Sequence, residues 1–166
     1  MIVDVNIRNY HNLYFQAVGD DSAWTEADYH LVAQSQPYQD NAQVKEPYKN
    51  DWLDEDGDDE YTAALFLKSF EFQVKFFVKA VDESDADAMG EVVAQRNAFR
   101  DKLIDSGSFK FYDSWNKCGF REVRFVKDET DARHVGDGGA WMIFSVTFKV
   151  NDPNAVAMSG GSLVNA

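Results

Sequence analysis

Between residues 66 and 80 the chain alternates. Phe66, Phe70, Phe72, Val74, Phe76, Val78 and Ala80 take the even positions, and Ser69, Glu71, Gln73, Lys75 and Lys79 the odd ones. A period of two over this length predicts a β-strand with one buried and one wet face. Fifteen residues at ~3.3 Å each would span about 50 Å. A compact domain of this size is only about 40 Å across, from a radius of gyration of ~15 Å. The strand is therefore expected to bend, bulge or project beyond the globule to meet a neighbour. Lys75, Phe77 and Lys79, on its wet face, and Trp52, just before it, are the candidate contacts to another copy.

A second strong alternation runs over 142–150, with Met142, Phe144, Val146, Phe148 and Val150 on one face. Asn151-Asp152-Pro153 closes it, since proline cannot donate to a ladder. Residues 82–106 change period. Met89, Val92, Val93, Phe99 and Leu103 form a stripe at helical spacing. Ser84 or Asp85 can cap its start and Gly107 supplies its stop, which makes a helix of about 84–106. Shorter strands are read at 2–15, 109–112 and 120–126, with 127–139 as a polar connection. Residues 19–60 look like a long loop or arm, with a short helix near 25–32 capped by Thr25. Strands, one helix and more strands predict an α+β fold: an antiparallel sheet or sandwich with one main helix packed on it. Residues 1–153 form a single domain in this reading, and 154–166 a flexible tail or a segment that docks on another subunit. The expected core holds Phe66, Phe70, Phe72, Phe76, Phe99, Leu103, Phe144 and Phe148.

Composition narrows the function. Thirteen phenylalanines favour aromatic packing between strands. A net charge of −13, with 16 basic against 29 acidic residues, opposes a phosphate-binding surface and docking on anionic membranes. No apolar run approaches the ~20 residues that span a bilayer. The first residues lack a secretory signal pattern, and Cys118 is the one cysteine, which suits a reducing compartment.

Candidate chemistry is sparse. Residues 51–60, DWLDEDGDDE, are the best metal candidate. With Gly57 at loop position six of an EF-hand, positions one and twelve fall on Trp52 and Ala63, so that motif fails. Asp54, Asp56 and Asp58 are left as candidate ligands of a weak calcium site. His11, His30 and His134 have no metal-ligand spacing, and nothing in sequence pairs one with Cys118. Gly136-Asp137-Gly138-Gly139 precedes a strand and lacks the Lys-Ser/Thr of a phosphate loop, so a hairpin turn accounts for it better. No cofactor signature and no catalytic set emerges. Two non-enzymatic readings follow: an assembly subunit, or a small monomeric or dimeric module that binds a small ligand or carbohydrate through Trp24, Trp52 or Trp115.

The order of segments from Val44 to Pro153 has a further likeness. An acidic turn leads to FEFQVKFFVKA, a helix with Phe99 and Leu103, SGSFKFYDSW, GFREVRF and finally WMIFSVTFKVNDP. This resembles small tail proteins of prophages in Bacteroides-like bacteria. It is similar in layout to the distal-tail and tail-tube superfamily of long-tailed phages. The resemblance implies a ring-forming structural subunit, commonly hexameric, partnered by itself and by other tail proteins. Such a subunit is made in the bacterial host cytoplasm and placed in the virion tail. A negative channel wall would let DNA pass without sticking.

Overall fold

The computed structural model describes residues 1–3, 12–34, 43–50 and 59–166. Its strands are β1 (Leu13–Ala17), β2 (Trp24–Thr25), β3 (Val32–Ala33), β4 (Lys49–Asn50), β5 (Asp59–Glu60), β6 (Phe70–Val81), β7 (Ser108–Asp113), β8 (Cys118–Gly136), β9 (Gly139–Asp152), β10 (Val156–Ser159) and β11 (Ser162–Asn165). One long helix, α1 (Asp85–Ser106), and a 3-10 turn at Glu26–Tyr29 complete the described elements. The fold is α+β, a mostly antiparallel sheet with one helix.

The main sheet has seven strands in the order β2-β1-β7-β8-β9-β6-β3, all neighbours antiparallel. Its longest unbroken ladder is the β6–β9 pair, in register from Phe70 opposite Val150 to Val81 opposite Gly139. Even positions of both strands point to the core: Phe72, Val74, Phe76, Val78, Met142, Phe144, Val146 and Phe148 are all buried. The helix lies on this face, where Phe99 meets the rings of Phe76 at 4.9 Å and Phe144 at 6.4 Å. Ser84 caps it by accepting from the Asp87 N–H, and Gly107 leaves it at positive φ.

The sheet is not flat. Strands β7 and β6 stand three spacings apart, about 14 Å on a plane. Yet Phe111 of β7 and Phe72 of β6 bring their ring centroids within 5.2 Å. The β1–β7 wing thus curls over the core, and Phe15, Phe109 and Phe120 close it from that side.

Several sequence expectations are corrected. Phe66 is exposed, not core, because the sheet strand starts only at Phe70 and the parity of residue 66 no longer maps onto its pleat. Phe70 is half-buried against Phe120. Part of the supposed 19–60 arm belongs to the sheet: β2 and β3 flank it, and Trp24 stacks on Phe15 at 4.6 Å. Residues 127–136 are strand, the second half of β8, held by their ladder to β9. The C-terminal segment forms the β10–β11 hairpin, turning at Gly160-Gly161, with Val156 and Leu163 buried. Gln16 clamps it: its Oε1 accepts from the Leu163 N–H at 2.6 Å, and its Nε2 donates to Ser162 Oγ at 3.0 Å.

Candidate functional site

The functional question turns on what the fold leaves uncovered. Odd positions of β6 and β9 point away from the helix, so Lys75, Phe77 and Lys79 share a face with Trp141, Ile143, Ser145 and Thr147; Lys79 is exposed, Lys75, Phe77, Trp141 and Ile143 are half-buried, and Ser145 and Thr147 are buried. Phe77 and Trp141 lie 6.2 Å apart, and His134 of β8 stacks on Trp141 at 5.9 Å with ring planes 21° apart. Below them the face turns polar. Gln73 donates to Thr147 Oγ1 at 3.2 Å, and Ser145 Oγ donates to Asp131. Three sequence-named contact residues therefore fall together on one surface. Trp52 and the acidic candidates Asp54, Asp56 and Asp58 lie outside the described residues.

A second uncovered feature is an edge. Strand β7 pairs with β8 only from Cys118 to Arg124. Beyond that, residues 127–136 pair with β9 alone among the described residues. This half is bulged between Phe125 and Lys127 and between Thr130 and Ala132. It carries an ion pair of Lys127 with Glu129 at 2.8 Å, and that hydrogen bond raises the Lys127 pKa. Bulges and charges are the usual means of keeping an open edge from indiscriminate pairing.

A third feature is an arm. Residues 43–50 and 59–68 run antiparallel as an irregular hairpin: Val44 bridges Leu67, Lys45 N–H donates to Phe66 O, Tyr61 N–H donates to Tyr48 O, and β4 pairs with β5. Val44, Tyr61, Leu65, Phe66 and Leu67 are all exposed on it. The sequence signal for the arm was the polar, proline-interrupted stretch before β6. Its apolar second side was absorbed into the strand by the parity of Phe66.

Chemistry finds little foothold. Among the described residues no group of three or more His, Cys, Asp or Glu side chains could hold a metal ion. Cys118 and His134 stand sixteen positions apart on one strand, about 50 Å of extended path. His30 closes the 3-10 turn in a left-handed conformation, and His11 lies outside the described residues. The fully buried carboxylates serve the backbone. Glu26 accepts from the Leu13 N–H at 2.8 Å, and Asp113 accepts from the Trp115 and Asn116 N–H groups in the β7–β8 turn. Of the tryptophans named for ligand binding, Trp24 is committed to the core and Trp115 is exposed. Among the described residues, no helix is long and apolar enough to cross a membrane.

No protein-family model matches the chain, and no curated protein matches it in sequence. Solved structures do. The chain is similar to the Dit protein (gp 19.1) of phage SPP1, described as a paradigm of the hub adsorption apparatus in phages that infect Gram-positive hosts. The TM-score is 0.53 at 16% sequence identity, over 88% of this chain and 52% of that one. This chain thus spans about half the length of the phage protein, and the likeness is one of fold.

Proposed function

We propose that the chain is a structural subunit of a phage or prophage tail, without catalysis of its own. In this reading it assembles into a ring or tube, hexameric in the simplest form, and joins other tail proteins. The observation that carries the proposal is the fold likeness to the SPP1 hub protein, which extends over 88% of the chain. Three features support it: the half-buried aromatic face of Phe77 and Trp141, the open half of β8, and the exposed apolar arm. A compact enzyme or ligand-binding module has no need of all three. The protein is then made in the bacterial host cytoplasm and ends in the virion tail, and the Bacteroides-like hosts named by the sequence resemblance belong to the same proposal.

Negative-stain images of the purified full chain test it. Closed rings of uniform diameter, or short stacks of them, are the expected result. A field of single globules at micromolar concentration would count against it.

A further inference from the structure

Two of the uncovered features complement each other. The arm offers hydrogen-bonded extended backbone with exposed Val44, Tyr61, Leu65, Phe66 and Leu67. The open half of β8 offers ten residues with backbone groups that no described strand takes up, about 33 Å of edge. The side of the arm at 59–68, which carries Tyr61, Leu65, Phe66 and Leu67 and no proline, is at most about 33 Å long by the same rise, so one fits along the other. We infer that the arm of one copy adds as a strand to residues 127–136 of a second copy. This deepens the assembly reading and rests on it.

The occupant is a second copy for two reasons. The arm and the second half of β8 are separate surfaces of the described chain, so every copy can both donate and accept. They do not meet within the chain: the arm leaves the sheet at Phe70, level with Val150 and Val123, on the β6 side of β9. The open half of β8 lies on the other side of β9 and runs toward the opposite end, where Gly136 faces Gly139. Because arm and edge are different surfaces, the contact is head-to-tail and leaves one of each for the next copy, which is the rule for rings and filaments.

The test uses the full chain and two variants. The first is Leu65→Ser, Phe66→Ser and Leu67→Ser together; these side chains are exposed, so circular dichroism and the melting profile should not move. Its association, followed by sedimentation, should weaken at least about tenfold per apolar side chain removed, as hot-spot truncations do. The second is Phe66→Cys with Thr130→Cys in a Cys118→Ser background. Mild oxidation should give a ladder of covalent oligomers on a denaturing gel. If the serine variant assembles like the wild type, the arm inference is overturned while the assembly reading stands. If assembly is lost but no cysteine across 127–136 cross-links to residue 66, the edge is not the acceptor and the inference fails. If the wild type never assembles, both readings fall.

Discussion

Arg96 of the helix grips Asp128 of β8 through two donors, Nη2 at 2.9 Å and Nε at 3.0 Å on the same carboxylate oxygen. Both side chains are largely buried, at 18% and 11% exposure, and the guanidinium also sits 5.8 Å from the Phe144 ring centroid. The pair pins the helix where β8 passes beyond its last contact with β7. Removing one partner strands the other in a partly desolvated place. Arg96→Ala should lower the unfolding free energy by about 1–3 kcal/mol in urea titration. The Arg96→Ala/Asp128→Ala double variant should lose less than the sum of the singles.

Gly119 has no room for a side chain. A Cβ there would overlap the carbonyl oxygen of Phe111 and the Cγ2 of Val156. The first obstacle is backbone, so it cannot swing away. Gly119→Ala should cost about 2–4 kcal/mol, read by chemical denaturation, and Val156→Ala in the same chain should restore little of it.

These two positions mark where sequence stops being informative. Strand β6 was legible because one face is buried, and burial writes a period of two into Phe72 through Ala80. Helix α1 was legible because Ser84 and Gly107 bracket a helical stripe. Residues 129–135 are not, since a stretch exposed on both faces imposes no alternation; only the β9 ladder holds it extended. The last hairpin is ambiguous in sequence for a different reason. Gly160-Gly161 suits a flexible linker and a tight hairpin turn equally, and Val156 and Leu163 decide between them only through tertiary contact. The contact residues Lys75, Phe77 and Lys79 were found as one face of one strand, but Trp141 and His134 join them through pairing that no local pattern encodes.

That hairpin should behave as a docked but separable unit. Gln16→Ala removes the acceptor of the Leu163 N–H and the donor to Ser162. Hydrogen exchange should speed up across 156–165 by roughly tenfold, the equivalent of ~1–1.5 kcal/mol. Amides of β6 and β9 should keep their protection.

Asp82 gives the acid side of the stability profile a specific shape. The Glu83 N–H donates to its carboxylate at 2.7 Å, and the Met1 amine lies 3.3 Å away. Both favour the charged form, so its pKa is lowered, with the Glu83 hydrogen bond the larger cause. A lowered carboxylate pKa adds stability above its unfolded value, about 3.9, and loses it as pH falls through the folded value. The stability gap between wild type and Asp82→Asn should be constant above roughly pH 5 and shrink below about pH 4. Thermal melts across roughly pH 2.5–7 at fixed ionic strength check this; a gap that widens on acidification would reverse the assignment.

Sedimentation velocity of the full chain, over a wide span of concentrations, tests the assembly account most directly. The account predicts one discrete boundary at a whole multiple of 18.9 kDa, six-fold for the hexameric ring, growing at the expense of a slower species as concentration rises. A single boundary at 18.9 kDa throughout would contradict it.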